Sequence, residues 1–547
     1  MRQSSMKGLM MDYQLTVPAI LRRAETFYGK KEIVSCLPDK SMHRYTYRNF
    51  AVKVRKLGAA LHKAGVQEGD RVATLCWNHH QHLETYFAVP CIGAIIHPLN
   101  VRFSADDLSY IINEAEDKCL IVDQVLLPLF EKFKSSIRIS SVIVISQSSQ
   151  PIPEEYLDYE TLLQSGDEYL FEAFDGDENT AAFMCYTSGT TGKPKGVLYS
   201  HRSILLHTLS SLLASTDIGI TEHDTVLSIV PMFHAGAWGL PYNCTLVGAR
   251  QVYPGPNLDT ENLLRLLESE NVTVTGAVPT VIQGILHNLD EHPGKYKLAL
   301  RTIMIGGSAM PRFLVKSFDE RYGVRVLHTW GMTETSPLGV TSVIHSELKK
   351  ASKEEQYDHA MKQGQPIPLV EIRGRNETGL IPWDGITLGE LEVRGPWVAA
   401  SYYRDTTANT KFTSDGWLKT GDIVTIDENG FIEIRDRSKD MIKSGGEWIS
   451  SVALENALMN HPAVLEAAVV GVPDARWMER PHAYLVLKEG KKVSTQELKE
   501  YLQEMFPRFW IPEGYSIIDA IPKTSVGKFL KSALREKYNQ DNPAINH

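Results

Sequence analysis

Residues 186–196 read YTSGTTGKPKG, directly after the apolar run AAFMCY (181–186). The run is short, apolar and followed by turn residues, so it reads as a buried β-strand. The stretch after it holds four small hydroxyl residues, three glycines and two lysines. Glycines let backbone N–H groups approach an anion, hydroxyls donate to phosphate oxygens and lysines neutralise charge. It is not the NTPase loop G-x4-G-K-[ST]: Gly192-Lys193 is followed by Pro194, and Gly189 stands only three residues back. By composition alone a flexible linker fits as well.

Outward from this loop the chain alternates strands and helices. Toward the N-terminus, Phe50, Val54, Leu57 and Leu61 recur at helical spacing after Tyr45-Thr46, and Gly65 marks the stop. DRVATLCW (70–77), CLIVD (119–123) and VIVIS (142–146) read as strands, with a helix near 80–93. Toward the C-terminus, VLSIV (226–230), VTVTGAV (272–278) and TIMIGG (302–307) form a second strand series. Such alternation predicts mainly parallel sheets with ligands at the strand C-terminal ends. Between 380 and 435 the texture changes to short β runs with Gly turns. AVLEAAVVGVP (463–473), HAYLVLK (482–488) and a Ser494–Glu497 capping box then predict a separate α+β unit.

The 547 residues suggest about three or four structural units. Hydrophobic content of 43% with 22% charged residues excludes disorder for most of the chain. A net charge of -9 argues against a nucleic-acid partner. The six cysteines form no CxxC motif and no disulfide framework, so a reduced, cytoplasmic protein is expected. MRQSSMKGLMMDYQ lacks the apolar core of a secretory signal, and PAINH is not a peroxisomal tail. No stretch approaches the ~18 apolar residues of a membrane span, and no basic amphipathic anchor stands out.

YTSGTTGKPKG resembles the phosphate-loop signature of the adenylate-forming superfamily of acyl-CoA synthetases, luciferases and peptide-synthetase adenylation domains. Four further stretches agree in the family's order: WGMTETSP (330–337), GWLKTGD (416–422), IRDRSKDMIKSGGEWIS (434–450) and PKTSVGKFLK (522–531). The resemblance covers nearly the whole chain. It implies a large α/β N-terminal domain, 1–435, with two α/β sheet subdomains and a small β-barrel-like one. A smaller, mobile α+β C-terminal domain, 436–547, would follow.

The resemblance also implies roles. Thr187, Ser188, Gly189, Thr190, Thr191, Gly192 and Lys193 would cradle the ATP phosphates. Thr187 and Glu334 would serve Mg2+ as hard oxygen ligands. Gly306, Gly307 and Ser308, with His328, Thr329, Trp330, Gly331, Met332 and Thr333, would line the adenine side. Trp330 stands where the family commonly has Tyr. Asp422, assisted by Arg437, would accept the ribose hydroxyls. Lys528 would be catalytic, neutralising charge as the acyl-adenylate forms. By composition alone it is one more exposed lysine of a tail that also holds Lys523, Lys531 and Lys537. Asp436 would be the domain hinge. Ser444, Gly445 and Gly446 would face CoA. Lys439, Lys443 and Trp448 belong to the same segment and either approach the nucleotide or are structural.

On the acyl side, PMFHAGAW (231–238) supplies His234 and Trp238. Trp238 matches the residue that gates the acyl tunnel in similar fatty acyl-CoA synthetases; a plain aromatic floor is the other reading. The overall likeness is greatest to bacterial medium- and long-chain fatty acyl-CoA synthetases and to 3-methylmercaptopropionyl-CoA ligases. The resemblance thus implies an acid–thiol ligase using ATP, CoA and a fatty acid or a short thioether acid, with homodimers expected. Luciferase-like oxidation, loading of a carrier protein and a non-catalytic nucleotide sensor are the remaining classes. The segment 231–238 has no Asp to hold an amino group, which argues against amino-acid activation.

Overall fold

The computed structural model describes residues 6, 8–146, 151–187, 193–214, 219–405, 408–445, 447–474, 476–523 and 529–542, with the side chains of 408 and 409 excepted. Two large sheets dominate. The nine-stranded sheet has at its centre the parallel strands Arg325–Gly331, Thr302–Gly306, Val274–Ala277, Thr225–Ser228, Arg250–Tyr253 and Glu32–Cys36, with antiparallel strands at both edges. The seven-stranded sheet is parallel from Leu157–Asp158 to Ala181–Tyr186 and closes with the antiparallel strand Gly196–Ser200. The loop 187–195 therefore joins an antiparallel hairpin rather than a strand and a helix, unlike the NTPase loop it superficially resembles.

The helix predicted after Thr46 runs Tyr47–Lys63. Thr46 and Asn49 cap it reciprocally, and Phe50, Val54, Leu57 and Leu61 are all buried. Ser494 caps the helix Thr495–Gln503 through the Glu497 N–H. The largest apolar cluster includes Val17, Phe50, Phe87, Ile121, Phe183 and Tyr242 and draws on elements of both large sheets.

The small β unit is an antiparallel sheet in the order Gly379–Leu380, Glu371–Asn376, Gly389–Arg394, Leu418–Ile426, Ile432–Arg437. Leu391, Val393 and Val424 pack in one cluster with Trp330 and Val340 of the nine-stranded sheet. The strand Ile432–Arg437 runs through the seam expected at 435/436. Beyond it, the long hairpin Val464–Asp474 and Met478–Leu487 and the helix Ser451–Asn460 build the C-terminal unit around Leu454, Val469 and Leu485. All six cysteines are buried and free. Among the described residues, no helix is long and apolar enough to cross a membrane.

Candidate active site

A cavity of about 1140 Å³ opens where these units meet. Thr187 and Lys193 reach it from the seven-stranded sheet, and Gly306, Ser308 and Thr329 from strand ends of the nine-stranded sheet. Asp422 comes from the antiparallel sheet, and Val452, Glu455 and Met459 from the first helix of the C-terminal unit. Crevices outside the C-terminal ends of parallel strands are where open α/β sheets bind ligands.

Asp422 and Arg437 face each other across two neighbouring strands. The Arg437 Nε lies 2.7 Å from Asp422 Oδ1, and the Trp330 indole N–H donates to Oδ2 at 3.0 Å. The carboxylate is 1% exposed, yet each oxygen keeps a second lone pair. Trp330 is buried against the backbone of Gly339, where a Cβ would stand 2.8 Å from the indole. Only glycine there admits the ring. His328 is a strut: its ring nitrogens lie 2.7 Å from the Met361 carbonyl and 3.2 Å from that of Ser308.

Glu334 sits in the single 3-10 turn Thr333–Thr335 and is buried. The Tyr402 hydroxyl donates to its Oε1 at 2.6 Å; Oε2 has no hydrogen-bond partner among the described residues. Burial, with Glu334 beside it, pushes the Tyr402 phenol well up, so it remains a donor. Tyr199 pins the same turn by donating to the Thr333 carbonyl at 2.6 Å. Thr187 and Lys195 close the base of the loop: the Thr187 N–H donates to the Lys195 carbonyl, and Thr187 Oγ1 accepts from the Lys195 N–H. Lys193 stacks its ammonium over Tyr110 at 4.5 Å, and Lys195 pairs with Asp405 at 2.6 Å. Ser188, Gly189, Thr190, Thr191 and Gly192 lie outside the described residues.

On the acyl side, Ala235, Gly236, Ala237, Trp238 and Gly239 are consecutive residues with positive φ. Three of them carry a Cβ, each held at a cost of about 1–2 kcal/mol. This left-handed turn sends Trp238 toward Gly306, where a Cβ would stand 3.2 Å from the indole Cη2. His234 and Trp238 both line the cavity, and Leu212, Ile220, Leu240 and Met304 form an apolar wall on the same side.

At the C-terminal unit, Asp436 is buried and accepts from the Ser451 N–H at 2.6 Å and hydroxyl at 2.5 Å, tying the strand Ile432–Arg437 to the helix Ser451–Asn460. Lys531, read from sequence as an exposed tail lysine, is instead largely covered, its side chain 10% exposed: its ammonium lies 2.7 Å from Glu455 and donates to Ser451 Oγ at 2.6 Å. Burial works against this charge, but Glu455, Asp436 and Asp440 outweigh it and hold the lysine above its usual range. Lys439 lines the cavity. Lys443 and Trp448 do not: they pair across an exposed hairpin, ammonium 5.3 Å from the indole. Ser444 is buried under Arg480, and Gly445 adopts a positive φ beside Trp477. Gly446 and Lys528 lie outside the described residues. The flanking Lys523 and Phe529 pair with each other, and Phe529 lines the cavity.

Sequence reasoning missed Tyr402, Glu455 and Asn243 among the cavity residues. None belongs to a motif, and each is there because a distant segment packs beside it.

Buried carboxylates with open lone pairs, the Thr187 hydroxyl, the Lys193 ammonium and an apolar branch on one cavity fit a nucleotide-dependent, carboxylate-activating enzyme of two domains. The chain belongs to the adenylate-forming family: the AMP-binding enzyme model matches residues 21–403, and the AMP-binding enzyme C-terminal domain matches 453–528. It is 46% identical over 540 residues to the long-chain-fatty-acid–CoA ligase of Thermus thermophilus, covering 98% of each chain. It is 41% identical over 540 residues to the 3-methylmercaptopropionyl-CoA ligase of Ruegeria lacuscaerulensis, covering 97% of this chain and 99% of that one. The crystal structure of an anthranilate CoA ligase with anthranoyl-AMP superposes with a TM-score of 0.87 at 25% identity, covering 98% of this chain and all of the other. The protein is an AMP-forming acid–thiol ligase that binds ATP and works through an acyl-adenylate.

Proposed function

We propose that this ligase converts a medium- or long-chain fatty acid, ATP and CoA into acyl-CoA, AMP and diphosphate. The observation that supports the chain class is the apolar wall of Leu212, Ile220, Leu240 and Met304 on the same cavity as Trp238. Identity of 46% to a long-chain ligase over nearly the full chain supports it. The thioether-acid relative favours a second reading, in which Trp238 floors a short pocket for an acid such as 3-methylmercaptopropionate.

In the first half-reaction a carboxylate oxygen attacks the α-phosphorus and diphosphate leaves. Asp422 accepts the ribose hydroxyls on its free lone pairs while Arg437 and Trp330 fix its plane. Thr187 through Lys193, with Gly307, Ser308 and Thr329–Thr333, surround the nucleotide. The Thr187 hydroxyl and Glu334 carboxylate are hard oxygen donors on one cavity and fit Mg2+. When bound, the ion neutralises phosphate charge. Glu334 holds its side of that site because Tyr402 fixes one oxygen and leaves the other open. Lys528 stabilises the transition-state charge.

In the second half-reaction the CoA thiol attacks the acyl carbonyl and AMP leaves. The C-terminal domain, divided from the first at 435/436, rotates about Asp436 and brings Ser444, Gly445 and Gly446 to the site. The exposed position of Lys443 and Trp448, away from the cavity, supports two working faces on this domain. We place the enzyme in the cytoplasm, as a homodimer through its N-terminal domain with at most peripheral membrane contact. CoA-dependent AMP formation across straight-chain acids from acetate to palmitate, with 3-methylmercaptopropionate alongside, tests the reading. A maximum at medium or long chains is expected; a maximum at short or thioether acids overturns it in favour of the second.

A further inference from the structure

The apolar acyl branch contains a polar pair that the adenylation chemistry does not use. Asn243, on the helix Leu240–Val247 one turn beyond Gly239, is 5% exposed and lines the cavity. Ser211, on the helix His201–Leu213, lines it as well. The Asn243 Nδ2 donates to Ser211 Oγ at 2.9 Å, and Ser211 Oγ lies 3.2 Å from Asn243 Oδ1 and 3.1 Å from the Thr208 carbonyl.

The hydrogen-bond count does not close. The amide offers two N–H donors and one acceptor; the serine offers one proton and two acceptor sites. That single proton serves either the Thr208 carbonyl or Asn243 Oδ1. In either case one amide N–H keeps no partner among the described residues, and when the serine turns to Thr208, Oδ1 is open too. Leaving such a group against methylenes costs about 1–3 kcal/mol. The surrounding wall of Leu212, Ile220, Leu240 and Met304 offers no compensation.

The structure assigns to Asn243 and Ser211 a specificity role: they bind a hydroxyl group carried on the acyl chain, so that hydroxylated acids are preferred to their plain counterparts. A hydroxyl matches the pair because its oxygen accepts from the amide N–H that Ser211 leaves free, the one on the side of the amide away from Oδ1. A methylene passing the same place leaves that N–H unmet. A few placed polar groups in an otherwise apolar pocket are the usual means of fixing which ligand fits. The inference rests on the fatty-acid reading, because it needs an acyl chain long enough to reach the pair.

The test compares octanoate with its hydroxylated isomers, from the third carbon to the terminal one, by kcat/KM for CoA-dependent AMP formation. At least one isomer is expected to exceed octanoate by about five- to tenfold. Asn243→Ala and Asn243→Leu should remove that preference, and Ser211→Ala should weaken it should the first two fold poorly. The ratio within each enzyme is the readout, so a general loss of activity does not imitate the effect. No isomer better than octanoate, or a preference that survives all three substitutions, overturns the assignment. Inert eight-carbon acids with turnover of 3-methylmercaptopropionate would overturn the fatty-acid reading and this assignment together.

Discussion

Asp422 shows how much one buried side chain depends on its neighbours. Its carboxylate is affordable at 1% exposure because Arg437 and the Trp330 indole both bond to it. Gly339 in turn makes room for that indole. Gly306 has a similar duty toward the acyl branch. A methyl there would stand 2.7 Å from Thr329 Oγ1, 2.9 Å from the Thr329 carbonyl oxygen and 3.2 Å from the Trp238 ring. The backbone oxygen cannot give way cheaply. Gly306→Ala should therefore raise the KM for the acid about tenfold or more, with a smaller change for ATP, since the methyl intrudes between the two branches. Steady-state kinetics with each substrate varied in turn will check this. Lys528→Ala should slow adenylate formation about a hundredfold or more while thioesterification of supplied acyl-AMP is largely kept. Equal loss in both half-reactions would remove the role given to it.

Among elements, the junction of the strand Ile432–Arg437, the helix Ser451–Asn460 and the helix Lys531–Asp541 is held by charge inside the protein. Lys531 serves Glu455 directly and Asp436 through the shared Ser451. Removing one partner strands the other, which costs about 3–5 kcal/mol in buried pairs; removing both restores much of it. Lys531→Met should speed proteolytic cleavage around 436–451, and Lys531→Met with Glu455→Met should recover much of the resistance. A double variant as labile as the single one would show that packing of the lysine stem, not its charge, holds this junction. The left-handed turn 235–239 is the other element whose conformation no propensity foretells. It persists because Gly236 and Gly239 bracket Ala237 and Trp238 and because Gly239 packs on His207.

At the scale of the whole molecule, the two large sheets share a core that contains a buried carboxyl group. Glu84 is fully buried; the Tyr159 hydroxyl donates to it at 2.7 Å, and Lys53 stands 3.6 Å away. Burial pushes its carboxyl from 4.5 up to about 7, against the pull of Lys53. Below the lower value both folded and unfolded chains hold the proton, and the fold bears no penalty. As pH rises the unfolded chain ionises first, so stability falls until the folded-state value is passed. Glu84→Gln should therefore gain stability relative to the parent between about pH 5 and pH 8, by an amount on the order of 3 kcal/mol. Urea unfolding at the two pH values will check it. An unchanged difference would mean the carboxylate is ionised throughout.

What the sequence by itself determined were the local and ordered features. Caps such as Thr46–Asn49 and Ser494, the helix and strand periods, and the five motifs in order were readable because each depends on residues close together in the chain. Thr187, Glu334, Trp330 and Asp422 of those motifs line one cavity. Tertiary structure alone decided which side chains serve them. Tyr402 reaches Glu334 across 68 residues, Trp330 reaches Asp422 across 92, and Lys531 reaches Ser451 across 80. It also decided that Lys531 is largely covered, that Lys443 and Trp448 stand apart from the cavity, and that Asn243 meets Ser211. The physical reason is that burial and hydrogen-bond partnership are properties of packed surfaces. A single chain states the period of its own segments, but not which distant segment will cover them.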